Sequence, residues 1–265
     1  MKRILTAMIL LPILLVIIKF GNAVYFFVIC GIAASFASLE LYRILEQLGY
    51  RCHKVLGVIL SLGIAYSFLE PKFLVGYPIV ISITLVLLIS MIRIDDFPGI
   101  INSVMATFFP IFFIGYTLGY QVGLRAIPGE DGKDLLVFLF FVVWIGDSAA
   151  YYVGKTLGCH KMSPRISPNK TIEGAIGGIL FSIVAALVAM LWFYRRIDLH
   201  DALILGLVLG VLGIFGDLAE SAFKRAANIK DSSVILPGHG GFLDRFDSLL
   251  FTGPALYYYY QLFIK

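Results

Sequence analysis

Long runs of apolar residues, separated by short polar turns, are the main pattern along the chain. They predict nine membrane-spanning helices, because an α-helix needs about 20 apolar residues to cross a bilayer. The predicted spans lie near residues 4–18, 23–39, 55–69, 73–92, 100–124, 135–153, 174–194, 202–223 and 249–264. The third and ninth are short, so either could be tilted, partly embedded or re-entrant. The pattern predicts an all-α fold, a polytopic transmembrane helix bundle.

The first predicted span follows Lys2 and Arg3, in the way that the apolar segment of a signal peptide would. A tight polar turn at 19–22 and a second apolar run come next, and no convincing small-residue cleavage site separates them. We therefore interpret the segment as a retained first transmembrane helix.

Composition supports the same class of protein. Hydrophobic residues make up 60% of the 265 residues and charged residues 14%, whereas a soluble domain has about 45–50% and about 25%, respectively. These values exclude a water-soluble fold, because no fold of this length could bury so much apolar side chain. The net charge of +4 is modest and gives no indication of nucleic-acid binding. The cysteines Cys30, Cys52 and Cys159 have no paired spacing that would predict a disulfide or a zinc site.

The distribution of Lys and Arg predicts the orientation in the membrane. With the N-terminus in the cytoplasm, most of the 21 Lys and Arg residues fall in cytoplasmic segments, although the pair Arg195-Arg196 argues against this topology. The polar loops 154–173 and 224–248 then face the cytoplasm, where nucleotides are. We divide the chain into a transmembrane scaffold, 1–130, with possible oligomer contacts, and a catalytic transmembrane region, 131–265. Its Gly-rich spans are compatible with a homodimer.

Two aspartates lie inside predicted spans, Asp147 and Asp217. Such a residue costs about 2.5–3.5 kcal/mol at the centre of a helix on insertion scales, so it is expected to face a polar cavity or to pair with a Lys or Arg. Helical spacing places Asp217 on one stripe with Glu220, Ser221 and Lys224. The two aspartates predict a polar, cytoplasm-facing cavity in the C-terminal half, to which two helices contribute.

The loop before the last span combines a glycine turn with acidic residues. Gly240 and Gly241 belong to a tight turn in which the backbone can approach a ligand. Asp244 and Asp247 follow with a spacing of three, which places them on one face of the helix that begins there. Clustered carboxylates suit Mg²⁺, which bridges carboxylates and substrate phosphates.

Basic residues accompany these acids. Lys224, Arg225, Lys230 and Arg245 suit phosphate oxygens, although Lys224 and Arg225 alone could simply mark the cytoplasmic flank of a span. For His239 we favour a contact with phosphate or nucleotide over an ordinary loop hydrogen bond. Carboxylates, basic groups and glycine turns together predict phosphoryl or nucleotidyl transfer.

The loop 154–173 supplies another basic group next to a predicted helix start. Asn169 or Thr171 could cap the helix that opens near Ile172, and Lys170 lies between them. A helix N-terminus beside a lysine can bind an anion. On its own, however, the loop would be interpreted as a plain basic cytoplasmic loop.

The segment 221–247, S-A-F-K-R-A-A-N-I-K-D-S-S-V-I-L-P-G-H-G-G-F-L-D-R-F-D, resembles the signature of phosphatidate cytidylyltransferases, also called CDP-diacylglycerol synthases. S-P-N-K-T-I-E-G (167–174) and G-D-S-A-A-Y-Y-V-G-K (146–155) resemble that family as well, in the expected order. The resemblance implies that CTP and phosphatidate are the substrates, that CDP-diacylglycerol and pyrophosphate are the products, and that the reaction requires Mg²⁺. It also implies a role in phospholipid biosynthesis at the cell membrane.

With this resemblance, each candidate residue receives an expected role. The principal metal ligands are Asp217 and Asp244, with Asp247 and Asp147 assisting a second cation. The catalytic set is Lys224, Arg225, Asp217, Asp244 and His239. The substrate-binding set is Lys170, Ser221, Lys230, Asp231, Gly240, Gly241 and Arg245, with Glu220 as a secondary member.

Two other functions remain open at this point. A transporter would also contain intramembrane aspartates and interrupted helices, although the basic Gly-Gly loop is more than alternating access requires. A CTP-dependent lipid kinase would use similar groups but would transfer the γ-phosphate and release CDP.

Overall fold

The computed structural model describes residues 12–70, 74–233 and 240–265. The described α-helices are residues 12–20 (α1), Ala23–Gln47 (α2), Lys54–Ser67 (α3), Gly76–Arg93 (α4), Phe97–Pro110 (α5), Thr117–Ala126 (α6), Asp131–Leu157 (α7), Ile172–Trp192 (α8), Leu199–Ala226 (α9) and Leu243–Tyr259 (α10). Short π-helical segments, Ile111–Tyr116 and Tyr260–Ile264, connect α5 to α6 and extend α10. Each predicted span from the second onward coincides with one of these helices or with a continuous pair.

The prediction of an all-α polytopic membrane fold is confirmed. Within the described ranges, six helical stretches are long and apolar enough to cross a bilayer, and the shorter α3 is apolar too. The fifth predicted span is one stretch, Phe97–Ala126, which continues through Pro110 and the π-helical segment. Of the first predicted span, 4–18, only the part from residue 12 is described, and it is helical.

Helix α4 exposes most of its apolar side chains and buries mainly polar ones, the reverse of a soluble helix. In α4, Ser82, Val86 and Ser90 form a buried stripe, whereas Leu88 and Ile92 are exposed. The hydroxyl of Ser82 donates to the carbonyl of Pro78 in its own helix, which satisfies it without water. This is the pattern expected where lipid surrounds the protein, because apolar side chains then face the acyl chains.

The described residues form two compact units. The first comprises the described parts of Met1–Ala126 and Ala226–Arg245, and the second comprises Ile127–Arg225 and Phe246–Lys265. In the first unit the Tyr42 hydroxyl donates to the carbonyl of Thr107, which ties α2 to α5. In the second, α7 and α8 pack closely. The functional division at residue 130 stays a prediction.

A short antiparallel hairpin precedes α8, where the sequence had indicated only a polar loop. Its strands are Lys161–Ser163 (β1) and Ser167–Thr171 (β2), with Lys161 opposite Thr171 and Ser163 opposite Ser167. The hairpin leads directly into α8, because the Thr171 hydroxyl accepts a hydrogen bond from the Gly174 N–H at 3.1 Å. The predicted cap at Thr171 is therefore confirmed, and it fixes the end of β2 to the start of a membrane helix.

Candidate active site

The second compact unit contains a cavity of about 640 Å³, which is a common size for a small-molecule site. Asp147 of α7 and Asp217 of α9 line it, together with Lys170 of β2. Lys155 and Lys161 also line the cavity, and the sequence had not singled them out. The expectation that α7 and α9 each contribute an aspartate to one polar cavity agrees with this arrangement.

Small residues allow the elements around this cavity to approach one another. A Cβ on Gly174 would lie 2.7 Å from the carbonyl oxygen of Ala150 and 3.0 Å from the Cα of Gly154, so only glycine permits this crossing of α7 and α8. The crossing holds the beginning of α8, and with it β2, beside the end of α7. Lys170 is thereby placed at the rim of a cavity that begins within α7.

The hairpin is fixed at its other end by Glu173 in the first turn of α8. The Glu173 carboxylate accepts hydrogen bonds from the backbone N–H groups of Cys159 and His160 at 3.1 and 3.2 Å, and it contacts the His160 Nδ1 at 2.6 Å. The backbone N–H of Ile172 also donates to the carbonyl of His160. These contacts close the hairpin at its base and so determine where Lys161 and Lys170 lie.

Lys170 and Asp217 form an ion pair, with the Lys170 Nζ 2.5 Å from Oδ2 of Asp217. The pair joins the hairpin to α9. The Asp217 side chain is 38% exposed and so accessible to a ligand in the cavity, whereas the Lys170 ammonium nitrogen is itself buried. The two interpretations of Asp217 from its sequence, a charge pair and a residue of a polar cavity, therefore both apply.

Asp217 belongs to a group of three carboxylates with Glu220 and Asp247. One carboxylate oxygen from each lies within 4.8 Å of the other two, close enough for one metal ion to be bound by all three. Glu220 is 1% exposed and is paired with Lys224 at 2.6 Å. Oxygen ligands of this kind suit Mg²⁺.

Two glycines of α9 bring α10 close enough to form this group. A Cβ on Gly216 would overlap the carbonyl group of Asp247, and one on Gly213 would lie 3.8 Å from the Cβ of Ser248. The same position is 4.0 Å from Oδ1 of Asp147, so that carboxylate also faces the contact between α9 and α10. Four carboxylates thus lie in this region with the two ammonium groups of Lys170 and Lys224. The negative excess suits a divalent cation.

Other predicted residues have structural contacts of their own. The Arg225 Nε donates to the carbonyl of Ile166 at 3.2 Å, which ties the end of α9 to the turn of the hairpin. Ser221 is buried in α9. Lys230, Asp231 and Arg245 are exposed. His239 lies outside the described residues.

The glycine turn and Asp244 belong to the first compact unit. Oδ2 of Asp244 accepts a hydrogen bond from the Gly241 N–H at 2.8 Å and lies 3.1 Å from the Ser232 hydroxyl oxygen. Gly240 has φ +81°, a backbone conformation that side chains rarely adopt. Asp244 therefore shapes its own loop, and its role as a metal ligand stays a prediction.

The sequence interpretation missed Glu40, a fully buried carboxylate in α2 of the first unit. It accepts hydrogen bonds from Ser232, Ser233, Phe242 and Leu243, on either side of the glycine turn. The predicted second span, 23–39, ends one residue before Glu40 and so does not include it. A helix that continues through an isolated carboxylate, as α2 does, was the available signal.

Residues 1–263 match a family described as the cytidylyltransferase family. The chain is 35% identical over 266 residues to a phosphatidate cytidylyltransferase of Bacillus subtilis, covering 99% of this chain and 98% of that protein. It is also 44% identical over 146 residues to a protein of the same name from Staphylococcus saprophyticus, 55% of each chain. The chain thus spans about half the length of that staphylococcal relative.

Proposed function

The chain belongs to the cytidylyltransferase family, and from this premise we propose that it is a phosphatidate cytidylyltransferase, which converts CTP and phosphatidate to CDP-diacylglycerol and pyrophosphate. The observation that carries the proposal is the cavity on which Asp147 and Asp217, from two apolar helices, converge with Lys170 of the hairpin. A reaction between a soluble nucleotide and a membrane lipid needs a polar site of this kind at membrane depth.

The chemistry needs charge neutralisation more than a general base. The second pKa of a phosphate monoester is about 6, so phosphatidate is largely a dianion at neutral pH and can attack directly. One of its oxygens forms a bond to the α-phosphorus of CTP, the bond from that phosphorus to the β-phosphate oxygen breaks, and pyrophosphate leaves with the electron pair. The obstacle is bringing two anions together, which lysine and arginine side chains reduce.

Lys170, Lys155 and Lys161 are the cavity-lining groups that we propose for phosphate binding. All three line the same cavity, and Lys170 is paired with Asp217 before substrate arrives. An incoming phosphate would compete with the carboxylate for this ammonium group. In the proposed site Lys224 and Arg225, whose side chains contact Glu220 and the hairpin, keep α9 and the hairpin in position.

We propose that Asp217, Glu220 and Asp247 hold Mg²⁺. The fit rests on oxygen-only donors with mutual separations within 4.8 Å and on the excess of carboxylates over ammonium groups. When bound, the ion would neutralise charge on the triphosphate and on the departing pyrophosphate. Asp147 and, in the first compact unit, Asp244 each remain a separate candidate for cation binding.

The lipid and the nucleotide are proposed to enter from different directions. Tyr151 and Lys155 both line the cavity, and the Lys155 Nζ lies 5.9 Å from the centre of the Tyr151 ring. Tyrosine and lysine are typical of the interface between lipid and water, where a lipid phosphate lies. The orientation that we propose, with the N-terminus and the hairpin in the cytoplasm, would expose the other side of the cavity to CTP.

The test is an assay of purified protein in detergent micelles. Pyrophosphate release is expected only when CTP, phosphatidate and Mg²⁺ are all present. Asp217→Asn and Asp244→Asn are each expected to abolish it, with Asp95→Asn, an exposed aspartate outside the site, as the control. Near-normal turnover in either variant would remove that residue from the proposed metal set, and pyrophosphate release without lipid would contradict the proposed function.

A further inference from the structure

The buried carboxylate of Glu40 accepts four hydrogen bonds, and the proposed reaction does not explain why. Oε1 accepts from the Ser233 hydroxyl at 2.5 Å and from the Phe242 N–H at 3.0 Å. Oε2 accepts from the Ser232 hydroxyl at 2.8 Å and from the Leu243 N–H at 2.8 Å. Each oxygen thus receives one hydroxyl and one backbone donor.

This arrangement specifies a carboxylate side chain rather than an amide. A carboxylate offers about four lone-pair positions and no donor, which matches the four donors that surround Glu40. A glutamine has one acceptor oxygen, and its amide would point two donors at groups that are donors themselves. Because Glu40 is fully buried, water cannot replace a lost partner.

The donors lie on both sides of the glycine turn. Ser232 and Ser233 precede the segment 234–239, whereas Phe242 and Leu243 follow it. Leu243 is the first residue of α10, so the carboxylate also accepts from an N–H group that has no partner within the helix. Glu40 therefore fixes the loop at Ser232 and Ser233 and the residue at which α10 begins.

The surrounding packing is built around this carboxylate. A Cβ on Gly241 would lie 2.7 Å from the carboxylate carbon of Glu40, so the second glycine of the turn makes room for it. The rings of Phe36 and Phe242 stack with their centroids 4.9 Å apart, which adds an apolar contact between α2 and the loop. The Ser232 hydroxyl lies within hydrogen-bond distance of both Glu40 and Asp244.

We infer that Glu40 is a positioning residue for the reaction, in which a buried carboxylate in α2 sets the start of α10 and thereby the placement of Asp244. This inference rests on the proposed function. It means that the N-terminal helices contribute to the reaction through α2 and are more than a scaffold. The effect is transmitted through the backbone of Phe242 and Leu243, one residue before Asp244.

The test compares Glu40→Gln with Glu46→Gln, a control in the same helix whose carboxylate is exposed and paired with Lys54. Glu40→Gln is expected to lower kcat and to raise the Mg²⁺ concentration for half-maximal activity, each by about 10–100-fold, as for residues that orient metal ligands. Amide hydrogen exchange at 242–243 should accelerate, whereas exchange in α8 should be unchanged. Glu46→Gln should behave as the wild type.

A second, smaller substitution keeps the inference testable if Glu40→Gln does not fold. Ser233→Ala removes one donor and should shift the same measurements in the same direction by a few-fold. If Glu40→Gln folds with kcat, Mg²⁺ dependence and exchange within twofold of the wild type, the inference is overturned. If the wild-type protein forms no CDP-diacylglycerol, the proposed function fails, and hydrogen exchange at 242–243 still decides whether Glu40 fixes the start of α10.

Discussion

Replacing Asp217 by asparagine should leave the stability of the metal-free protein nearly unchanged while removing its response to Mg²⁺. At 2.5 Å from the Lys170 ammonium, the Asp217 carboxylate gains about 7 kcal/mol of attraction at an effective dielectric constant of about 20. The carboxylates of Glu220 and Asp247, within 4.8 Å, each repel it by at least about 3.5 kcal/mol on the same scale. The attraction and the two repulsions oppose each other, so removing the Asp217 charge changes the stability by less than the ion pair alone would suggest.

The three interactions are screened to different extents, but their opposite signs keep the net change in stability small. In EDTA, the melting temperature of Asp217→Asn should therefore lie within about 4 °C of the wild type, the equivalent of about 1 kcal/mol. Added Mg²⁺ should raise the melting temperature of the wild type, since a ligand that binds the folded state stabilises it. The variant should lose that increase and at least about a hundredfold of its activity.

Lys170→Met is the matched variant, because it removes the attraction and leaves the repulsion among the carboxylates. Its melting temperature in EDTA should fall, by the equivalent of about 1–3 kcal/mol for the loss of a charged hydrogen bond. The two variants should thus differ in sign or size although they break the same ion pair. A metal-free Asp217→Asn protein that melts far below the wild type, or one that keeps the full Mg²⁺ response, would refute the reasoning.

Two further predictions concern packing and orientation. Gly216→Ala should destabilise the protein by about 1–3 kcal/mol, because its Cβ would overlap the carbonyl group of Asp247. Gly63→Ala is the control, because its Cβ would meet no described atom within 4 Å. Thermal unfolding in detergent should give a lower melting temperature for Gly216→Ala only, and equal melting temperatures would contradict the packing. A membrane-impermeant maleimide should label the exposed Cys159 in sealed vesicles whose cytoplasmic face is outward but not in right-side-out vesicles. Cys52 should react more slowly than Cys159, because burial raises the pKa of its thiol to about 11, and its rate should increase with pH. Labelling of Cys159 only in right-side-out vesicles would reverse the proposed topology.

The parts of the site that were predictable from sequence are those where a charged side chain lies in an apolar helix, which costs free energy. Asp147 and Asp217 stand out because a carboxylate in an apolar helix must have a polar neighbour, and the structure places both on one cavity with Lys170. The helical spacing of Glu220 and Lys224 likewise predicted a shared face, and they form an ion pair.

Other features depend on long-range contacts that local patterns do not contain. The strands of the hairpin are only three and five residues long, and polar residues dominate them, so neither shows the alternation of a buried strand. The role of Glu40 depends on donors about 190 to 200 positions later in the chain, which no spacing rule connects. The close approach of nucleotide to Gly241 stays a prediction, and the nearness of the Glu40 carboxylate to this glycine could not be foreseen.

The most direct test of the proposed reaction follows the phosphorus atoms of CTP. Purified protein is incubated with phosphatidate, Mg²⁺ and CTP labelled either at the α- or at the γ-phosphorus, and the lipid is then extracted. Transfer of the nucleotide predicts that the α-label enters the lipid as CDP-diacylglycerol and that the γ-label is recovered as pyrophosphate. Recovery of the γ-label in the lipid, with release of CDP, would contradict the account and identify a lipid kinase.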